Sequence, residues 1–361
     1  MKFVDGSGTE YRPTSWLAFN DVLLKPQRSK FSSRNDPNID LGVGLGTNIN
    51  LRIPIISANM DTVTSAVMAT EMHKLGGLGI LHRFHKNEYE YLQAIQYVFN
   101  HCNRNVAFSV GCGKDWIKFV NDVVEKLNPT FDKPLMVCLD VAHGHMEQAV
   151  ETVRELRKLI HIFIIAGNVA TGEAAVDLAE AGADCIKVGV GCGSVCTTRI
   201  VTGHGVPQLS AIMECREALG NAHWKVGIIA DGGIKTSGDI MKAIAAGADA
   251  VMIGNMLAGC DETPGAAIKT SHGTFKLYRG QSSRHFLNDI GKIGVASEGE
   301  SIEIPSKGST KSVIDELVGG IRSGLTYSGA GSIYEFKEKA VFVEISHHGW
   351  VESTPHALNK A

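Results

Sequence analysis

From residue 53 onward the chain alternates between short, almost uninterrupted apolar runs and longer stretches in which apolar residues return every three or four positions. The runs are 53–61 (IPIISANMD), 77–83 (GLGILHR), 106–111 (VAFSVG), 135–144 (LMVCLDVAHG), 163–170 (FIIAGNVA), 185–191 (CIKVGVG), 226–233 (VGIIADGG) and 250–255 (AVMIGN). All but 163–170, which closes on Ala170, end in a glycine or a polar residue. The stretches between them read as helices: TGEAAVDLAEAGA can be capped by Thr171, and TSGDIMKAIAAGA by Thr236 or Ser237. Eight strand-then-helix units, with strands too continuously apolar to face water, predict an α/β fold of the (β/α)8 TIM-barrel type in one domain. A doubly wound open sheet is the competing arrangement; the count of eight and the lack of a GxGxxG after the first run favour the barrel.

The same pattern divides the chain. Residues 1–50 are polar and irregular and are expected to wrap the outside of a barrel spanning 51–330. After the eighth run, 276–308 is an excursion rich in serine, glycine and charge. A last helix is predicted over 312–327. The tail, 331–361, contains AVFVEIS as a possible edge strand and ends in polar residues expected to be mobile.

Composition narrows the class. With 361 residues, 44% hydrophobic and 20% charged, the chain suits a soluble globular enzyme. A net charge of −3 argues against nucleic acid as a partner but leaves room for a local phosphate pocket. Forty glycines point to tight turns and close backbone approach to a ligand. Without a signal peptide or a run of spanning length, no membrane association and a cytoplasmic location are expected. The eight cysteines then read as reduced thiols. There is no CxxC pair, and Cys192 and Cys196 have no histidine beside them, which argues against zinc.

In a barrel the loops at the strand C-termini build the site, so Asn59, Asp61, Arg83, Asp140, Asn168, Asp231 and Asn255 are expected to converge. The longest of these loops, after the sixth run, carries Cys196. A cysteine is most often a small buried hydrophobe, but this one sits among glycines, a serine and threonines, where backbone N–H groups can activate a thiol nucleophile. Asp231-Gly232-Gly233 and Gly254-Asn255 end the seventh and eighth runs, the usual barrel phosphate site, though simple turns would look alike. Asp140 could hold a ribose hydroxyl or cap a helix. His82, His85, His143 and His145 lack the paired carboxylates of a metal centre. Glu298, from its surroundings alone, reads as solvated.

The motifs GVGCGSVCTTR, TGHGVPQLSAI, IADGG, VMIGNMLAG and LVGGIRSGLTY resemble the IMP dehydrogenase/GMP reductase family, across about residues 19–327. The resemblance implies a (β/α)8 barrel assembled as a homotetramer. Several features are similar to the reductase branch: Arg83 leads straight into the next helix without the dehydrogenases' regulatory insert, Thr197 follows Cys196, and Asn59, HRF and DVAHGH match. Arg284-His285 is a partial match to the dehydrogenases' Arg-Tyr pair. Cys192 stands where the loop usually has proline, and Arg83 where many reductases have lysine.

The resemblance implies NADPH-dependent conversion of GMP to IMP and ammonia in purine nucleotide salvage, with Cys196 attacking C2 and Thr198 relaying a proton from Glu298. It places the substrate against Ser194, Asp231, Gly232, Gly233, Gly254, Asn255, Gly280, Gln281, Ser282, Ala296, Ser297 and Gly299. It places the cofactor against Ser33, Arg34, Arg83, Asp140, Val141, Ala142, Ser323 and Thr326, with Arg34 a candidate reader of the 2′-phosphate. Carbonyls of Gly191, Gly193, Cys196 and Arg199 match a potassium (K+) site. The alternatives are an IMP dehydrogenase without its insert, and a non-catalytic purine-nucleotide-binding protein.

Overall fold

Eight parallel strands close into a barrel: β1 (Ile55–Ser57), β2 (Leu78–Leu81), β3 (Ala107–Val110), β4 (Leu135–Asp140), β5 (Ile162–Val169), β6 (Cys185–Val188), β7 (Gly227–Asp231) and β8 (Ala250–Ile253). The computed structural model describes residues 1–103, 105–292 and 294–354. Each strand lies in one of the eight apolar runs, except that β5 begins one residue ahead of its run, at Ile162. The runs overshoot the strands at their C-terminal ends, because their last residues turn out into the loops that carry the chemistry. β1, β2, β3, β6 and β8 are buried at every position, with the barrel interior on one face and helices on the other.

The covering helices are α1 (Ala66–Leu75), α2 (Glu88–His101), α3 (Lys114–Leu127), α4 (Glu147–Leu156), α5 (Gly172–Glu180), α6 (Gln208–Asn221), α7 (Ser237–Ala245) and α8 (Thr310–Tyr327). Their starts follow local chemistry. Thr171 accepts from the Ala174 N–H, and Thr236 accepts from the Asp239 N–H while the Asp239 carboxylate accepts from the Thr236 N–H. Ser309 caps α8 in the same way, accepting from the Ser312 N–H.

The outer segments are more ordered than their composition suggests. Lys2–Val4, Glu10–Tyr11, Val22–Leu24 and Val341–Glu344 form one four-stranded sheet. Val341–Glu344 is therefore not an edge strand: it runs parallel to Lys2–Val4 on one side and antiparallel to Val22–Leu24 on the other. Phe3 and Phe342, facing each other in that register, stack with centroids 5.1 Å apart, so the two chain ends bury each other's apolar faces. The helix Ile333–Lys339 leads into this strand, and the end of the tail expected to be mobile, 355–361, lies outside the described residues. The hairpin Val43–Leu45 and Ile49–Leu51 sets Gly46 directly against Gly227 at the foot of β7.

At the opposite end, Ile268–Thr270, Gly273–Arg279 and Ser301–Pro305 pair antiparallel into a small sheet. It begins before residue 276, where the excursion was expected to start. This stalk carries the short helix Arg284–Asp289 and the described residues between 280 and 300 over the C-terminal mouth of the barrel.

Candidate active site

The strand C-termini and the stalk enclose a cleft of about 510 Å³. It is lined by residues at the C-terminal ends of every strand except β3, or in the loops that follow them, as a barrel with its chemistry at one end requires. On one side lies the loop after β6. Its shape depends on Gly189, where φ is +149° and an added Cβ would come 1.9 Å from the Asp231 carbonyl oxygen. Only glycine lets the β6 and β7 loops meet this closely.

Beyond it, Cys196 leads into the short helix Thr198–Thr202. The Cys196 thiol donates to Thr198 Oγ1 at 3.2 Å, and the Thr198 hydroxyl donates to Glu298 Oε2 at 2.8 Å. The sulfur, hydroxyl and carboxylate thus form a directed chain along which a proton can travel. The backbone locks it: the Thr197 N–H donates to the Glu298 carbonyl at 2.9 Å, and the Glu300 N–H to the Val195 carbonyl at 2.8 Å. Segment 298–300 is in effect a strand laid along the cysteine loop, which is why a carboxylate a hundred positions away in sequence meets Thr198.

The neighbouring Cys192 is a different kind of thiol. Burial, then the nearby Asp231 charge, push it up to about 12, and it donates to Gln208 Oε1 and the Asp231 carbonyl, both at 3.3 Å. In place of a loop proline, it ties the β6 loop to β7.

On the floor, β6 sends up Lys187, only 2% exposed. Its ammonium donates to Asp231 Oδ2 at 3.0 Å, to Asp140 Oδ1 at 3.4 Å and to Asn168 Oδ1. Burial alone would favour the neutral amine; Asp231 and Asp140 outweigh it and hold the group charged, above its ordinary range. Asn168 completes the cluster by donating to Asp231 Oδ2 at 2.9 Å and to the Gly189 carbonyl at 2.8 Å.

At the far wall the loops after β7 and β8 present Gly232, Gly233, Gly254 and Asn255 to the cleft, joined by Ser194 and by Tyr278 from the stalk. The Ser194 and Tyr278 hydroxyls lie 3.1 Å apart, and Tyr278 is buried with its phenol pushed up by desolvation. Hydroxyls and glycine backbone with room for an anion suit a phosphate. Gly280, Gln281, Ser282 and Ala296 complete the rim, and the Gln281 amide is fixed by donating to the Asn59 carbonyl at 2.6 Å. Arg83, Asp140, Val141 and Ala142 form the opposite side. Arg83 Nε is buried without a hydrogen-bond partner among the described residues, 3.9 Å from Asp140 Oδ2, while its guanidinium lies over Phe84. An orphaned donor beside a carboxylate fits a bound polar group such as a nicotinamide carboxamide.

Other sequence-predicted residues go elsewhere. Asp61 leaves the convergent set: its Oδ2 accepts two bonds from Arg279, at 2.9 and 2.6 Å, fastening the stalk to the barrel. Asn59 lines the cleft, but its amide points down to donate to Ser109 at 2.9 Å. Ser297 and Gly299 do not line the cleft. Ser297 donates to the Ser282 and Gly299 carbonyls, and Gly299 bridges to Cys196 and Ser283, so both hold segment 298–300 in place.

Ser33, Arg34, Ser323 and Thr326 lie outside the cleft; Arg322, on the same helix as Ser323 and Thr326, donates from Nε to the Arg34 carbonyl at 2.6 Å. Arg284 donates to the Val295 carbonyl at 3.0 Å and His285 is half exposed; neither reaches the cleft. His82 and His85 stack at 4.5 Å, and among the described residues no group of three or more His, Cys, Asp or Glu could hold a metal. Of the carbonyls matched to potassium, that of Gly193 accepts from the Cys196 N–H and that of Arg199 from the Gly203 N–H, both at 3.2 Å, leaving each a second lone pair. Sequence reasoning missed Lys187 and Tyr278. A lone charge inside the apolar run CIKV was the available signal for Lys187, since buried lysines are rare unless paired.

A family model described as "IMP dehydrogenase / GMP reductase domain" matches residues 16–356. The chain is 40% identical over 339 residues to GMP reductase 1 of Homo sapiens, covering 91% of this chain and 95% of that protein. It is 36% identical over 394 residues to inosine-5′-monophosphate dehydrogenase of Borreliella burgdorferi, covering 94% and 96%. It is 33% identical over 469 residues to the dehydrogenase of Nitrosopumilus maritimus, covering 94% and 98%. The Borreliella alignment is only modestly longer than this 361-residue chain, so compactness alone does not mark a reductase. Among the described residues, no helix is long and apolar enough to cross a membrane.

Proposed function

The chain belongs to the IMP dehydrogenase/GMP reductase family, and from that premise we propose that it reduces GMP to IMP and ammonia with NADPH. The observation that carries this reading is the unbroken chain Cys196–Thr198–Glu298. Removing an amine requires both a nucleophile and a proton for the leaving nitrogen, and the relay serves both. The thiol proton passes through Thr198 to Glu298 as sulfur bonds to C2 of the purine. The same path returns it to the 2-amino nitrogen, the C–N bond breaks, and ammonia leaves a thioimidate on Cys196. Hydride, the chemistry that a bound reduced nicotinamide would supply, would then add at C2; the C–S electron pair would return to Cys196 as thiolate while IMP leaves, and the thiolate would regain its proton from solvent.

In this reading Ser194, Tyr278, Gly233, Gly254 and Asn255 hold the phosphate. Asp231 holds the sugar hydroxyls, and segments 280–282 and 296–298 lie against the base. Asp140, Val141, Ala142 and Arg83 would face the nicotinamide, with the orphaned Arg83 Nε offered to its carboxamide. Potassium at the Gly191, Gly193, Cys196 and Arg199 carbonyls, and a homotetramer, belong to the same proposal.

The dehydrogenase reading is favoured by the comparable identity of compact dehydrogenases. Against it, neither Arg284 nor His285 faces Cys196 to activate water. Absorbance at the nicotinamide band separates the two. Oxidation of NADPH only with GMP supports reduction, whereas formation of NADH from IMP and NAD would sink it.

A further inference from the structure

We propose that Lys187 is a positioning residue that sets both nucleotide subsites with one charge, holding Asp231 on the substrate side and Asp140 on the nicotinamide side. The inference rests on the function proposed above. Four consecutive strands build the arrangement: Asp140 ends β4, Asn168 lies near the end of β5, Lys187 rises from β6 and Asp231 ends β7. Gly167 pairs with both Asp140 and Lys187 in the sheet register, so the three share one layer of the barrel. A Cβ on Gly167 would come 2.4 Å from the Lys187 carbonyl and 2.7 Å from its Cβ, so the glycine clears space for the lysine.

The ammonium is the only charged donor in hydrogen-bond contact with Asp231 among the described residues, and it also reaches Asp140. Without it, two carboxylates would share the floor with neutral Asn168, the buried Cys138 thiol and Arg83, whose Nε stands 3.9 Å from Asp140. Two carboxylates left so close repel, and one then takes up a proton at higher pH. Neutral or rotated, Asp231 could no longer accept two sugar hydroxyls, and Asp140 would lose its orientation toward the cofactor. Lys187 itself lines the cleft floor but is only 2% exposed, so its charge acts on the ligands through the two carboxylates.

The test uses full-length Lys187→Met and Lys187→Arg, with thermal unfolding to confirm that each folds. For Lys187→Met, calorimetric affinity for GMP and KM for NADPH should both weaken by about tenfold or more, because a buried charge partner has been removed. The acid limb of kcat/KM should move to higher pH. Lys187→Arg, which keeps the charge, should recover part of both. Adding Asp140→Asn to Lys187→Met should strengthen GMP binding by relieving the repulsion, whereas Asp140→Asn alone should not. A folded Lys187→Met that binds both nucleotides like the wild type, weakens only one, or gains nothing from Asp140→Asn overturns this inference alone. A wild-type protein that binds neither nucleotide overturns the proposed function as well.

Discussion

Replacing Glu298 by glutamine isolates the proton relay from everything else that Glu298 does. The side chain keeps its size, and the backbone bonds to Ser282 and Thr197, at 3.0 and 2.9 Å, do not involve it. A glutamine carbonyl can still accept the Thr198 hydroxyl, so the 2.8 Å contact has a neutral counterpart. On the proposed function, what disappears is the ability to take the thiol proton and return it to the leaving amine. General acid–base catalysis of this kind contributes about 10²–10⁴-fold. At about 1.36 kcal/mol per tenfold, that is roughly 2.7–5.5 kcal/mol on the barrier. The loss should fall on kcat, while the dissociation constant for GMP, measured by calorimetry, stays within about threefold, because ground-state contacts are untouched. Steady-state oxidation of NADPH gives the rate. A kcat within about tenfold of wild type would remove Glu298 from the proton path. So would a loss of GMP affinity large enough to explain the whole defect.

Three further outcomes follow from other parts of the molecule. Gly189→Ala drives a Cβ into the Asp231 carbonyl at a backbone angle that L-residues rarely adopt, so unfolding in urea should show a loss of at least ~2 kcal/mol; an unchanged midpoint would refute the close approach. Burial, with His85 adding to it, pushes the His82 imidazole down to about 3 from 6.5. Between those values the unfolded chain binds a proton that the folded chain refuses. Stability from neutral His82 is therefore complete above 6.5 and declines as the pH falls toward 3. His82→Asn, which can still accept from the Phe84 N–H, should flatten that acid decline in urea midpoints compared at about pH 7.5 and about pH 5, and an equal decline in both proteins would count against it. If a monovalent ion orders the cysteine loop, exchanging potassium for a bulky organic cation at constant ionic strength should lower kcat; an unchanged rate would exclude the ion from the Gly191, Gly193, Cys196 and Arg199 carbonyls.

The barrel was legible because its signal is local. Each of the eight strands is buried at nearly all positions, so each had to appear as a continuous apolar run, and the helix starts at Thr171 and Thr236 carry their own capping chemistry. The cysteine loop announced itself in the same way, by a composition that no simple connection needs. Asp140, Asp231 and Asn255 reached the cleft as expected, since position at a strand end is enough to place them.

Contacts between distant segments were beyond such reasoning. Asp61 stands at a strand end like the others, yet Arg279, 218 positions away, draws it out of the cleft. Ser297 and Gly299 support the site from behind because segment 298–300 pairs with the cysteine loop, and Val341–Glu344 is interior because Lys2–Val4 and Val22–Leu24 both reach it. Lys187 looked like an oddity in an apolar strand until Asp140, Asn168 and Asp231 closed around it. The sequence by itself determined the repeating unit, the end of the barrel where chemistry gathers and the thiol at its centre, since burial and capping are written into neighbouring residues. Only the tertiary structure decided which polar groups face a ligand and which face one another, because that choice belongs to residues brought together by barrel closure and by the stalk folding back.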